Sequence, residues 1–387
     1  MKIAHLGDVH WGLGYPGPSP DSRFEDINRV MDWVADRIIG ERCDLVLFAG
    51  DAFKDARVFL DRASVEIKAF AGWLRKVTAS GIPVIAISGT PSHDAIAAYK
   101  LIQEMQIPDV TIITDPTVVR REGLSIACLP GLNRSSLVTQ EDYRNLPPHV
   151  IHQMMTDKIA ETCQELRKQC DGSAVLLAHL TYDLADKGFE DVLMQHEPVL
   201  TQEAVRGFDL VCLGHIHRPQ QNGNVFYCGS PERLSFNDEG VNAGFWLHEI
   251  KQARVDSQFI ETPAREFVTL DWSEMTVKGF VDGQLPQFAL AMVKDAIVRL
   301  RYTCPEDLAK RLDRKAMEKA IYEAGAFYVA EIKADVQRQD RARDEEVTET
   351  LGPVEALARW ARQQDMPDEE IVTLQAMTAG LLEEVAI

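Results

Sequence analysis

Short apolar runs recur along the chain at Ile3–Leu6, Leu45–Ala49, Val84–Ser88, Val110–Ile113, Ser125–Leu129, Ala174–Ala178, Leu210–Leu213 and Val225–Cys228. Runs of this length, bounded by polar or glycine-containing segments, predict buried strands. Between several of them the spacing changes to that of a helix. Phe24, Ile27, Val30, Met31, Val34 and Ile38 recur three or four residues apart, which predicts a helix over Phe24–Ile39, and Arg62–Thr78 and Val150–Leu166 repeat the pattern. Strand and helix alternate, so the first two thirds of the chain is expected to be an α/β domain with much parallel pairing.

Near Thr262-Pro263 the texture changes. Strand candidates at Phe267–Leu270, Ala296–Tyr302 and Phe327–Ile332, with a helix expected over Pro305–Ala324, describe a small α/β unit. Charged residues dominate Asp335–Glu346. Pro353–Gln364 and Pro367–Val385 each begin with the proline that a first helical turn accepts, which predicts a helical hairpin. Three domains are expected, at 1–262, 263–345 and 346–387. In the last helix Ile371, Leu374, Met377, Leu381, Leu382 and Val385 form one apolar stripe. It packs on its own domain or docks a partner protein.

Composition narrows the class. The 387 residues carry 41 lysines and arginines against 60 acidic residues, a formal net charge of −19. Such a chain is no polycation and is not expected to grip nucleic acid by its overall charge. Seven cysteines without a C-x-x-C pair predict neither a disulfide framework nor a zinc ribbon, and fit a reducing cytoplasm. The N-terminus meets charged residues at once, and no apolar run approaches the ~18 residues of a membrane span, so neither a targeting segment nor a membrane association is expected.

The chemistry lies where acids and histidines follow the strands. Five strand ends carry them: Asp8-Val9-His10, Gly50-Asp51, Ser92-His93-Asp94, His179, and Gly214-His215-Ile216-His217. In open α/β sheets ligands bind beyond the carboxyl ends of strands, so these loops can converge. In extended chain, residues i and i+2 point the same way, so Asp8 with His10 and His215 with His217 each present two groups to one side. Carboxylate and imidazole without thiolate suit manganese, iron or zinc, and the donors outnumber one tetrahedral shell. Two ions sharing a bridging carboxylate is the economical reading. The remaining histidines, His5, His149, His152, His196 and His248, are expected to be structural.

The ordered set D-x-H, G-D, H-D, H, G-H-x-H resembles the calcineurin-like metallophosphoesterases. Within them the chain is similar to the SbcD nuclease-subunit family, relatives of the nuclease in the MRN repair complex. The narrower match rests on Arg23 and Asp26, on Gly229-Ser230-Pro231-Glu232-Arg233-Leu234-Ser235-Phe236, and on Arg265-Glu266-Phe267. The resemblance implies an α/β/β/α sandwich of two mixed sheets flanked by helices, a small α/β capping domain and a C-terminal helical hairpin that binds an ATPase. It implies a first divalent ion held by Asp8, His10, Asp51 and His217, and a second by Asp51, His179, His215 and the residue preceding His93. His93 would protonate the leaving oxygen, with Asp94 orienting it. Manganese is the expected metal, with Mg2+, Fe2+ and Zn2+ as alternatives. The implied partners are DNA ends or hairpins, an SbcC-type ATPase subunit and a second copy of the chain.

Motif three departs from the family, which has Gly-Asn-His where this chain has Gly89-Thr90-Pro91-Ser92-His93. Ser92 takes the place of the asparagine ligand, with Thr90 or a water as alternatives. Lys54, three residues after Asp51, is a candidate phosphate contact or a solvated loop lysine. The expected function is a two-metal nuclease subunit of a DNA end-processing complex. The alternatives are a hydrolase of small phosphodiesters or nucleotides and a non-catalytic scaffold with a degenerate metal site.

Overall fold

The computed structural model describes residues 1–56, 63–92, 94–133, 137, 146–188, 197–251, 254–337, 352–364 and 366–385. All eight apolar runs are strands. Strands β1 (Lys2–Leu6), β2 (Leu45–Ala49), β3 (Val84–Ile87) and β4 (Val110–Ile113) lie side by side in parallel, with Ile3 opposite Leu45 and Val46 opposite Val84. The sheet is extended past β1 by an antiparallel pair, Gly244–Lys251 and Arg254–Glu261.

The second sheet contains β5 (Thr117–Arg121), β6 (Leu124–Leu129), β7 (Ser173–His179), β10 (Leu210–Gly214), β11 (Gln220–Asn222) and β12 (Val225–Tyr227), in the order β11-β12-β10-β7-β6-β5. A two-stranded ribbon, β8 (Thr181–Tyr182) with β9 (Val199–Leu200), follows β7 directly. The antiparallel pair on the first sheet is β13 and β14 in chain order.

Burial explains the layering. Ile3, Leu45, Leu47 and Ile85 from the first sheet meet Ile126, Val175, Leu177 and Cys212 from the second in one core. The outer face of the first sheet is covered by α1 (Ser22–Gly40), α2 (Ala63–Thr78) and α3 (Ile96–Glu104). The outer face of the second is covered by α4 (Pro148–Lys168). Strands buried on both faces read as continuous apolar runs, which is why they were legible. The result is the expected helix–sheet–sheet–helix sandwich.

A three-stranded sheet follows, in the order β15 (Phe267–Trp272), β16 (Ile297–Pro305), β17 (Tyr328–Gln337). The single helix expected over Pro305–Ala324 is instead two, α7 (Glu306–Ala309) and α8 (Arg314–Glu323), after the short helices α5 (Glu274–Val281) and α6 (Gln287–Leu290). Asp313 makes the break, because its carboxylate accepts the Lys315 amide at 2.9 Å and so caps a new helix.

Arg23, Asp26 and Arg265 build a buried ion network where the sandwich meets this sheet. Arg23 is fully buried and donates to Asp26 at 2.7 Å and to Glu232 at 3.2 Å. Arg265 grips both oxygens of Asp26 at 2.6 Å and stacks 3.5 Å over the Phe327 ring. Despite burial, these guanidinium groups hold the Asp26 carboxyl below its usual range. Removing one member would leave an unpaired buried charge.

The chain divides into two compact units, Met1–Tyr302 with Asp313–Lys333, and Thr303–Leu312 with Ala334–Ile387. In the second unit α9 (Pro353–Gln363) and α10 (Asp368–Val385) form a hairpin closed by Ala358, Ala361, Met366 and Ile371. Of the stripe on α10, only Ile371 is buried in that contact, while Met377, Leu381 and Leu382 are exposed. The side chain of Val385 lies outside the described residues. Among the described residues no helix is long and apolar enough to cross a membrane, and all seven cysteines are buried and form no disulfide.

Candidate metal centre

Strands β1 and β2 of one sheet and β7 and β10 of the other end at the same place. Asp8 and Asp51 follow the first two, His179 ends β7 and His215 follows β10. The loops after β1 and β2 continue side by side, since the amides of Val9 and His10 both donate to the Asp51 carbonyl, at 2.9 and 3.1 Å. Across the sheets, the His215 amide donates to both oxygens of Asp8, at 2.9 and 3.0 Å. The backbone is strained at each of these positions: φ is +52° at Asp8, +53° at His10, +49° at Asp51 and +96° at His215. Non-glycine residues in this region cost on the order of 1–3 kcal/mol each and persist where surrounding contacts enforce them. Gly89 permits the closest approach, because a Cβ there would lie 1.7 Å from Asp51 Oδ1.

Two groups of donors result, Asp8 with His10 and His217, and Asp51 with His179 and His215. Asp51 reaches both. Its Oδ1 is 3.4 Å from His179 Nε2, and its Oδ2 is 3.7 Å from His10 Nε2. His10 Nε2 and His217 Nε2 face each other at 3.2 Å. Two bonds of ~2.1 Å to one ion at 90–109° span about 3.0–3.4 Å, so this pair is spaced as donors to a common cation.

His179 provides the sharper test of fit. Its Nδ1 is 2.7 Å from the Ala49 carbonyl, which can only accept, so Nδ1 carries the proton. Its Nε2 is then left buried with no hydrogen-bond partner, aimed at the Asp51 carboxylate. An imidazole nitrogen facing a carboxylate calls for positive charge between them, which a proton supplies in the ion-free protein and a bound cation would supply in its place. Burial pushes the His179 imidazole down, but the Asp51 and Asp8 carboxylates outweigh it and carry it up to about 9. Burial also pushes the Asp8 carboxyl up. The donors therefore fit a pair of divalent ions, each supplying charge that this buried cluster otherwise lacks.

The other anticipated residues are placed as follows. Asp94 is fully buried, and its oxygens accept the amides of Gly89 at 2.7 Å, Ala95 at 3.0 Å, Phe53 at 3.1 Å and Asp51 at 3.2 Å. Burial and the Asp51 charge push its carboxyl up to about 7. It ties the Asp51 loop to motif three, which makes it a positioning residue for Asp51. Thr90 is buried and its amide donates to Asp51 Oδ1 at 3.2 Å, whereas Ser92 is exposed in the following turn. Lys54 is exposed beside the Asp51 loop. His93 and His196 lie outside the described residues.

Sequence reasoning missed Asp238. Its Oδ1 lies 3.7 Å from His217 Nδ1, on the ring edge opposite His10. Burial opposes ionisation, yet the His217 side chain and the amides of Leu234 and Ser235 hold the Asp238 carboxyl below its usual range. No motif announces it. Only the turn at Ser235–Asp238, closed by a capping box, brings it to the site.

A third group, His5, Cys212 and His248, is buried between the sheets. Its nitrogens form a closed relay: the Ser257 hydroxyl to His248 Nδ1 at 2.8 Å, His248 Nε2 to His5 Nδ1 at 3.3 Å, and His5 Nε2 to the Leu213 carbonyl at 3.1 Å. Burial holds both rings neutral, with His5 down to about 3 and His248 well below its usual value. These two histidines satisfy each other without a metal.

The sequence profile of the calcineurin-like phosphoesterases matches residues 1–219. The chain belongs to the calcineurin-like phosphoesterase family. Among curated relatives, this phosphoesterase is 26% identical over 309 residues to the DNA double-strand break repair protein Mre11 of Archaeoglobus fulgidus, covering 72% of this chain and 63% of that one. It is 24% identical over 283 residues to the SbcD component of the nuclease SbcCD of Escherichia coli K12, covering 66% and 67%. A second Mre11, from Aeropyrum pernix, is 26% identical over 228 residues, covering 57% and 49%. The phosphoesterase thus spans less than two thirds of the Archaeoglobus protein's length.

Proposed function

We propose that this phosphoesterase is a two-metal phosphodiesterase that cleaves DNA at ends or hairpins, as the nuclease subunit beside an ATPase partner. The observation that carries the hydrolase reading is Asp51, whose two oxygens face two separate donor groups, one toward His179 and one toward His10. The DNA reading rests on the names of the curated relatives.

Asp8, His10 and His217 hold the first ion and Asp51, His179 and His215 the second, with Asp51 shared and Ser92, Thr90 or a water completing the second set of donors. When bound, such a pair supplies a more acidic water and positive charge for the phosphoryl oxygens. The protein's own part is orientation. Asp94 fixes the Asp51 loop, Asp238 fixes His217, and the crossing of the two sheets brings the donors into register. His93 protonates the leaving oxygen. Lys54, exposed at the rim, contacts a flanking phosphate. Manganese suits this donor set, as do magnesium, iron and zinc.

Residues 1–262 form the nuclease domain, 263–345 the capping domain and 346–387 the ATPase-binding tail. The chain works as a homodimer in the cytoplasm. Trp360, Met377, Leu381 and Leu382 are exposed on the two tail helices and offer the apolar surface a partner helix would cover. Deleting Pro353–Ile387 is expected to abolish co-elution with the ATPase on gel filtration while leaving the thermal transition of the remaining sandwich in place. Unchanged co-elution would sink this assignment.

The deciding assay is digestion of end-labelled duplex and hairpin DNA with manganese, with and without the ATPase. Metal-dependent cleavage that the ATPase enhances is expected. Turnover of small phosphodiesters alone, with both DNA substrates intact, would overturn the nuclease reading.

A further inference from the structure

Glu197 is absent from every motif that identifies the site, yet its Oε2 lies 2.6 Å from His215 Nε2. The same oxygen accepts a hydrogen bond from the buried Thr181 hydroxyl at 3.3 Å. Its placement is built into the fold. His179 ends β7, and two residues later Thr181 begins β8, which pairs in parallel with β9 so that Thr181 sits opposite Val199. Buried Pro198 separates Val199 from Glu197. One short ribbon therefore supplies a donor, His179, and anchors a carboxylate against another, His215.

An imidazole has two nitrogens, and what one is bonded to decides what the other can do. A carboxylate at 2.6 Å accepts a hydrogen bond from Nε2–H, which turns the Nδ1 lone pair over to an ion held with Asp51 and His179. It also makes the ring a stronger donor. That matters here because motif three offers no carboxamide: Ser92 is exposed and Thr90 carries only a hydroxyl. His217, the other histidine of the G-H-x-H motif, has Asp238 near its Nδ1 in the same role.

We propose that Glu197 is the positioning residue of the second ion, fixing the tautomer and direction of His215 and offsetting the weak donor at motif three. This rests on the two-ion reading of the site. Losing such an outer hydrogen bond typically costs ~10–100-fold in metal affinity.

The test is stepwise Mn2+ titration of the ion-free full-length chain by calorimetry, with electron paramagnetic resonance to count coupled pairs. For Glu197→Ala, second-ion affinity is expected to fall ~10–100-fold, with first-ion affinity and the melting temperature of the ion-free protein unchanged. Glu197→Gln, which keeps an acceptor oxygen but no charge, is expected to fall between. Identical second-ion affinities in all three proteins, or equal weakening of both ions, would overturn the role of Glu197 alone. A wild-type chain that binds fewer than two ions would instead refute the two-ion reading.

Discussion

Asp51→Asn is expected to lower hydrolysis by well over two orders of magnitude and to lose both ions together. The substitution is nearly isosteric, so the effect comes from charge and from the second acceptor. Asp51 Oδ1 receives the Thr90 amide at 3.2 Å and lies 3.4 Å from His179 Nε2, while Oδ2 faces His10 at 3.7 Å. A carboxamide has one acceptor oxygen, and its NH2 would point a donor where a cation must sit. Losing an outer partner of a metal ligand costs ~10–100-fold, and a shared ligand should cost more than that on both sides. Asp8→Asn provides the contrast, since Asp8 belongs to the first group only. It should release one ion per chain. Metal content of the two purified variants, measured after equilibration at one Mn2+ concentration, separates the cases. Asp51→Asn retaining two ions would show that Asp51 does not bridge.

The placement of Asp51 was legible in the sequence for a physical reason. A strand buried on both faces must be an uninterrupted apolar run, so the first polar residue after Leu45–Ala49 marks the strand end, where ligands bind in α/β sheets. The same logic exposed Asp8, His179 and His215. It fails where a functional carboxylate sits in a turn or an irregular segment. Glu197 and Asp238 reach the histidines through a two-stranded ribbon and a capped turn, and neither has a periodic signature. Asp94 is a different case. Its place beside His93 gives it the expected role of orienting that ring, and four backbone amides also occupy its oxygens and tie down the Asp51 loop. A motif does not encode that bonding or the burial that goes with it.

Similar limits apply to the fold. β14 escaped notice because one of its faces carries Arg254, Asp256 and Gln258, all exposed, so no continuous apolar run forms. The helix expected over Pro305–Ala324 broke at Asp313 because a helix-compatible average composition says nothing about a single side chain capping a new start. Net charge misled less than it seemed to. A formal charge of −19 describes the whole chain, whereas a cluster of buried carboxylates and imidazoles takes up cations and reverses its local sign.

His93→Ala is expected to lower turnover of DNA by ~10²–10⁴-fold, the usual contribution of a general acid, with two ions still bound. Asp94, the next residue, is fixed by amides on the Asp51 loop, so motif three is tied to the metal donors at that point. A general acid matters in proportion to how poor the leaving group is. A deoxyribose oxygen leaves badly without a proton, whereas p-nitrophenolate leaves well without one. The variant should therefore be far less impaired on bis(p-nitrophenyl) phosphate than on duplex DNA, and its metal titration should match that of the wild-type chain. Equal impairment on both substrates would rule out proton donation to the leaving oxygen, and loss of one ion would make His93 a ligand in place of Ser92. The ratio of the two rate losses, measured on the same metal-loaded preparation, distinguishes these outcomes without a structure of the variant.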